Sequence, residues 1–330
     1  MTSGSTIPAT LSELQDPLRQ RLAAVQEELR RVVAADFAYI SEVNSHLFRM
    51  QGKLFRPTLL LLADEATGGP DHRAITLAAV VELIHLATLV HDDSVDHSVL
   101  RRGMPTINSL FSHQVSVIMG DYLYSRAVIE LVRLDDLEPL RVLGRVTNEM
   151  TVGEMRQLLS HDRLAFDEAA YDLLIRAKTA SLISGACEVG GLGAPPDERA
   201  ALARFGDALG MIFQIVDDVL DYTADAATTG KPTGLDLREH KVTLPLIAAL
   251  PRMPESGRRE VSQLMATETP DDVQIARVIS LVTDAGGLEY ARTRAQAWAQ
   301  RAEAELDHLA PSAARDALHA SVAYVLERRS

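Results

Sequence analysis

Two stretches of this chain repeat one acidic pattern at the end of an apolar run: Asp92-Asp93-Ser94-Val95-Asp96 and Asp217-Asp218-Val219-Leu220-Asp221. Each sets carboxylates at i, i+1 and i+4. On an α-helix, residues four apart lie above one another, so Asp92 points with Asp96 and Asp217 with Asp221. Like charges in neighbouring turns cost free energy unless cations neutralise them. Magnesium suits that task, because it takes oxygen ligands, keeps several waters and bridges to phosphate. The repeated pattern therefore demands a helical fold and predicts a metal-bridged diphosphate held between two helices.

The remaining sequence agrees with a helical fold. Hydrophobic residues make up 47% of the 330 positions but aromatics only 5%, a balance that favours helix-on-helix packing. Apolar residues recur with a 3.6-residue rhythm, and no segment sustains a two-residue alternation. Asp16-Pro17 reads as a cap opening a helix through residue 33. Gly68-Gly69-Pro70 breaks the chain before the long helix that ends in the first cluster. Further helices are expected over 110–134 and 137–160. A loop at 191–196 follows, with Asp197 as a cap for the helices leading to the second cluster. The polar stretch 223–241 directly after that cluster is a candidate lid. From residue 251 onward the pattern is amphipathic helix. With no linker, low-complexity tract or fixed-period repeat, residues 1–330 read as a single all-α domain, residues 1–10 being a flexible N-terminal segment.

A net charge of −13 disfavours nucleic acid as a partner. One cysteine, Cys187, excludes an intrachain disulfide and reads as a small core residue in a reducing compartment. The first ten residues lack the basic and apolar regions of a signal peptide. The apolar run 74–90, interrupted by Glu82 and His85, falls short of the ~20 residues of a membrane span and reads as a buried helix. A cytoplasmic protein is the expectation.

Cations occur in compact groups. Lys53 and Arg56 lie three apart in Gly52-Lys-Leu-Phe-Arg-Pro57, and Arg101 and Arg102 follow the first cluster. Lys178 precedes Thr179, and Lys231 and Lys241 flank the candidate lid. Arginine suits phosphate because its planar fork donates two parallel hydrogen bonds. Each feature alone has a plainer explanation. One DDxxD in an acidic chain is usually a solvated helix end, and an arginine pair is usually surface. His85 on an apolar face is more often a core histidine than a ligand, and Gln214 can simply bridge helices. Their joint order and spacing remove those readings.

That order resembles the trans-isoprenyl diphosphate synthases, the polyprenyl synthetase family. The matching pieces are Gly52-Lys53-x-x-Arg56-Pro57, His85, His91-Asp-Asp-x-x-Asp96, Arg101-Arg102-Gly103-x-Pro105-Thr106 and Gly120-Asp121-Tyr122-Leu123. They continue with Lys178-Thr179, Phe213-Gln214-x-x-Asp217-Asp-x-x-Asp221, and Gly230-Lys231 through Asp236-Leu237 to Lys241-x-Thr243-Leu244-Pro245. His240 departs from the glycine often found there, a change expected to adjust the lid. The resemblance covers residues 45–250 closely.

The resemblance implies helices around a deep central cavity, usually in a homodimer, and a Mg²⁺-dependent prenyltransferase. Asp92, Asp96 and Asp217 would be the principal metal ligands, supported by Asp93, Asp218 and Asp221. Arg101, Lys178, Lys231 and Lys241 would hold an allylic diphosphate, with Thr179 and Gln214 in the same substrate set. Lys53, Arg56, His85 and Arg102 would hold isopentenyl diphosphate. Breaking the allylic C–O bond would leave a cation that the isopentenyl double bond attacks, and loss of one proton would complete a chain five carbons longer. Ala87 and Thr88, five and four before Asp92, would gauge product length, with Ile84 and Val81 deeper and a floor near Met119, Leu123 or Val142. Small residues there, and no insertion in the first motif, imply a medium or long all-trans product whose release calls for a membrane or carrier. The alternatives are a farnesyl or geranylgeranyl diphosphate synthase, a class I terpene cyclase and a partner-dependent subunit.

Overall fold

A computed structural model of the chain describes residues 10–50, 52–159, 164, 166–223 and 233–328. The fold is all-α, as expected, with one short hairpin among the described residues. Its first half runs α1 (Leu11–Gln15), α2 (Arg19–Val32), α3 (Ala38–Arg49), α4 (Phe55–Ala66), α5 (Ala74–Val95), β1 (Leu100–Arg101), β2 (Met104–Pro105), α6 (Ile107–Leu110), α7 (His113–Arg133) and α8 (Leu137–Leu159). The second half runs α9 (Glu168–Ile175), a π-helical turn (Arg176–Ala180), α10 (Ser181–Gly190), α11 (Pro196–Thr223), α12 (Leu235–Arg238), α13 (Leu244–Ala249), α14 (Glu255–Ala266), α15 (Asp272–Asp284), α16 (Gly287–Leu306) and α17 (Ala313–Glu327).

Local chemistry moves several expected boundaries. Thr10, not Asp16, opens the first helix: it forms a capping box with Glu13. Asp16–Leu18 is a 3₁₀ turn between α1 and α2, where Pro17 needs no partner for a backbone N–H. The helix expected from residue 110 starts at His113, because Ser112 Oγ accepts from Val115 N at 3.2 Å. Asp197 lies inside the first turn of α11 and adds its negative charge to the helix N-terminus instead of capping it. β1 and β2 pair Leu100 with Pro105 and Arg101 with Met104, around Arg102 (φ 52°) and Gly103 (φ 74°). Two central residues at positive φ match the twist of a tight hairpin.

The packing forms two compact units. One comprises Met1–Thr147, Leu182–Gly206 and Glu305–Ser321; the other comprises Asn148–Ser181, Asp207–Ala304 and Val322–Ser330. The first is organised on α5, which packs along α7 and also on α2 and α4. α5 is apolar on nearly every side, and a helix of that kind must be buried. Its 22 residues are in fact long and apolar enough to cross a membrane, contrary to the expectation from the interrupted run, but 67% of the apolar window is buried within the protein. In the same unit α10 approaches α4 so closely that a Cβ on Gly190 would lie 2.4 Å from the Leu60 carbonyl oxygen.

In the second unit, Arg294 of α16 bridges Glu168 and Asp172 of α9. α11 meets the π-turn at Gly210, where a Cβ would fall 2.4 Å from the Ala180 Cα. These two glycines are therefore contact residues between backbones. Gly190→Ala is expected to lower the unfolding free energy by about 1–3 kcal/mol through overpacking, read from the urea midpoint at constant m-value.

Candidate active site

The first aspartate cluster closes α5, and its three carboxylates occupy different environments. Asp92 is half-buried, Asp93 is only 4% exposed and Asp96, the C-cap residue, is exposed. Arg101 holds Asp93 with a two-pronged contact: Nε donates to Oδ1 and Oδ2 at 2.9 Å, and Nη2 donates to Oδ1 at 2.8 Å. The chain turns back between them just after α5, at His97 (φ 52°), so that eight residues suffice. Asp96 N donates to the Asp92 carbonyl at 2.8 Å and Ser98 N to the Asp93 carbonyl at 2.9 Å, so the helix end is closed as well as charged. Gly120 of α7 lies against His91, whose Nε2 a Cβ there would meet at 2.2 Å.

Beside this cluster, in the same unit, lies a cationic group. Arg102 Nη1 donates to the Met50 carbonyl at 3.0 Å, and its guanidinium lies where a Cβ on Gly52 would be, 2.8 Å away. Arg56 sits in the first turn of α4 and its Nε is buried without a hydrogen-bond partner. Burial pulls the Arg56 guanidinium down to about 10, with Glu82 opposing and Arg102 assisting. Glu82 is 3% exposed; burial pushes its carboxyl up to about 6, against the pull of Arg56 and Arg102. Burial, followed by the charges of Arg56, Arg102 and Arg101, holds the His85 imidazole well below its ordinary range, so His85 is neutral at pH 7. Lys53 is exposed at the edge of this group. Glu82 was legible beforehand only as an interruption in an apolar run.

The second cluster, on α11, follows the same division. Asp217 is exposed and Asp218 is 4% exposed. Asp218 accepts from Tyr171 Oη at 2.6 Å and from Gln214 Nε2 at 2.8 Å. Burial nevertheless pushes its carboxyl up to about 7, aided by the charges of Asp217 and Asp221. Asp221 caps α12, accepting from Leu235 N at 3.0 Å and Asp236 N at 3.1 Å; burial raises it too. Thr179 Oγ1 donates to Gln214 Oε1 at 2.8 Å. Lys178 lies in the π-turn with Thr179, donates to Gln157 at 2.7 Å and pairs with Glu154. π-turns of this kind recur at functional sites. Lys241 Nζ pairs with Glu239 at 2.7 Å, and His240, at φ 57°, reaches the Thr267 carbonyl at 2.8 Å. Lys231 and the rest of 224–232 lie outside the described residues; 233–241 is anchored through Asp221.

Two residues absent from the sequence reading enter here. Tyr171 gave no signal beyond lying seven residues, two helical turns, before Lys178. Arg328 lies in the tail that carried no motif. Its Nη2 donates to Asp217 Oδ1 at 3.0 Å and to the Phe213 carbonyl at 2.8 Å, and its guanidinium lies 3.9 Å from the Phe213 ring centre.

Among the described residues, no three His, Cys, Asp or Glu side chains converge closely enough to enclose a metal by themselves. Magnesium is commonly held by one or two carboxylates together with water and substrate phosphate. The donor chemistry, carboxylate oxygen throughout, fits magnesium. On α5, Ile84 and Ala87 are buried and Thr88 is half-buried, its hydroxyl donating to the His85 carbonyl at 2.8 Å. Val81, Met119, Leu123 and Val142 are buried in the same unit.

The family model described as "Polyprenyl synthetase" matches residues 37–282. The chain is 39% identical over 304 residues to an all-trans-nonaprenyl-diphosphate synthase (geranyl-diphosphate specific) of Rhodobacter capsulatus, covering 92% of this chain and 93% of that protein. It is 36% identical over 316 residues to heptaprenyl diphosphate synthase component 2 of Geobacillus stearothermophilus, covering 94% and 97%. The crystal structure of a polyprenyl synthase from Caulobacter crescentus, complexed with calcium and isoprenyl diphosphate, superposes with a TM-score of 0.92 at 32% identity, covering 98% and 99%. The chain belongs to the polyprenyl synthetase family and is a trans-prenyltransferase acting on prenyl diphosphates.

The buried charge of Glu82 predicts a pH signature. Its folded-state pKa is raised from 4.5 to about 6, so its contribution to stability is present below pH 4.5 and is lost as pH rises through 6. Glu82→Gln removes that loss. Between pH 4 and pH 8 the unfolding free energy of the variant should therefore gain on wild type by about 2 kcal/mol, measured by urea titration at both pH values.

Proposed function

We propose that this protein condenses isopentenyl diphosphate with an allylic diphosphate, using magnesium, to make an all-trans polyprenyl diphosphate of medium or long chain. The observation that carries this reading is the Arg56–Arg102–His85 group around buried Glu82, in the same unit as the first aspartate cluster. An enzyme that ionises one diphosphate and cyclises its tail has no use for a second anion site of this kind. Elongation needs one.

Asp92, Asp96 and Asp217 would hold magnesium, while Asp93, Asp218 and Asp221 fix the helix ends that carry them. Bound there, magnesium supplies the positive charge that stabilises the departing diphosphate. Lys178, Lys241, Arg101 and Lys231 bind the allylic diphosphate directly. Arg56, Arg102 and Lys53 bind the isopentenyl diphosphate; neutral His85 donates one ring N–H without adding charge. With both anions bound, the double bond would meet the allylic carbon in an effectively intramolecular reaction.

Product length is assigned from α5. Ala87 and Thr88 place no bulky ring one turn before the metal cluster, which supports growth beyond twenty carbons. The Rhodobacter relative, a nonaprenyl synthase by its description, supports the same assignment. The heptaprenyl relative, described as a component, favours a second reading in which catalysis requires a partner chain. Self-association is the arrangement we prefer. α7 exposes Val117, Ile118, Tyr124, Ile129 and Val132, an apolar face that a second copy of the chain would cover. A long product is nearly insoluble in water, so its release would use a membrane or lipid carrier.

Purified protein given magnesium, labelled isopentenyl diphosphate and farnesyl diphosphate should yield a product series ending at thirty carbons or more. Ala87→Phe should shorten that series while sparing the first condensation. An unchanged product distribution contradicts the assignment of length to α5, and incorporation only after adding a second protein supports the partner-dependent reading.

A further inference from the structure

Tyr171 is 2% exposed, and its hydroxyl is committed to one acceptor. Tyr171 Oη donates to Asp218 Oδ2 across 2.6 Å, a short hydrogen bond. The other Asp218 oxygen takes Gln214 Nε2 at 2.8 Å, and Gln214 Oε1 takes the Thr179 hydroxyl at 2.8 Å. Four side chains thus form one unbranched run. Its two ends, Tyr171 and Thr179, stand on the continuous α9–π-turn segment; its middle, Gln214 and Asp218, stands one turn apart on α11. Gly210, a turn before Gln214, permits this by admitting the backbone of Ala180 where a Cβ would sit.

In this run Tyr171 Oη and the Gln214 amide nitrogen both donate to Asp218. That choice turns Gln214 Oε1 toward Thr179, whose only proton is then used. Gln214 and Thr179 are half-buried, whereas Tyr171 and Asp218 are buried. The hidden pair therefore sets the orientation of the accessible pair.

We propose that Tyr171 is a positioning residue for prenyl transfer: by donating to Asp218 it fixes the amide of Gln214 and, through it, the hydroxyl of Thr179. This rests on the prenyl-transfer reading given above. Its consequence is that the middle aspartate of the second motif serves the protein frame on one side and a substrate-facing amide on the other. Nothing in the sequence motif distinguishes that role from metal ligation.

A double-mutant cycle tests it, using Tyr171→Phe and Gln214→Met, alone and together. Phenylalanine fills the volume of tyrosine and removes only the donor, and methionine approximates the shape of glutamine without its amide. Turnover at saturating substrates is the readout, with both KM values, the magnesium half-saturation and the urea midpoint measured alongside. Tyr171→Phe should lower kcat about tenfold in the native background and have little effect once Gln214 is methionine. The KM for isopentenyl diphosphate and the magnesium half-saturation should stay within about twofold in Tyr171→Phe. Equal losses in both backgrounds would overturn the proposal, because a merely structural tyrosine is additive with Gln214. So would a folded Tyr171→Phe protein with native kcat. Wild-type protein that incorporates no isopentenyl diphosphate, alone or with a second synthase chain, would overturn the prenyl-transfer reading itself, a distinct failure.

Discussion

In both aspartate clusters the middle carboxylate is buried against the protein and given donors of its own. Asp93 and Asp218 are each 4% exposed, although the two clusters lie on different helices in different units. A buried carboxylate without partners is costly enough to shift its own protonation or unfold its surroundings. Asp93 is answered by the fork of Arg101, and Asp218 by Tyr171 and Gln214. With that carboxylate immobilised, the helix end that carries Asp92 and Asp96, or Asp217, is immobilised as well. Many other features follow from this constraint. The turn at His97 (φ 52°) returns Arg101 to Asp93, and the π-turn with Gly210 brings Thr179 to the Gln214 amide beside Asp218.

The cationic group in the first unit obeys the complementary rule. Two arginines cannot be partly buried together without a counter-charge, and Glu82 supplies it from the middle of an apolar helix. His85 meets the same field and responds by staying neutral. The buried acid offsets the repulsion between the two arginines.

The fold class and the two clusters were legible because periodicity and i, i+1, i+4 spacing act locally. Glu82 was visible as an anomaly, but its partners Arg56 and Arg102 are 26 and 20 residues away in sequence, and only packing joins them. Tyr171 and Arg328 were not legible at all. Tyr171 meets Asp218 across 47 residues and Arg328 meets Asp217 across 111, with no pattern to mark either. Helix starts were misplaced where a threonine or serine cap sets them: Thr10 in place of Asp16-Pro17, and Ser112 in place of a start at Leu110. The interrupted apolar run of α5 was rightly read as buried, though the helix is longer than that run suggested.

If the outer carboxylates are held ready for a metal that a diphosphate completes, then metal and diphosphate must bind cooperatively. The most direct measurement is calorimetric titration of inorganic pyrophosphate into the purified protein, with and without magnesium. The account predicts that magnesium tightens pyrophosphate binding by about tenfold or more, and that Asp92→Asn together with Asp217→Asn abolishes the difference. Pyrophosphate affinity that is indifferent to magnesium would contradict it.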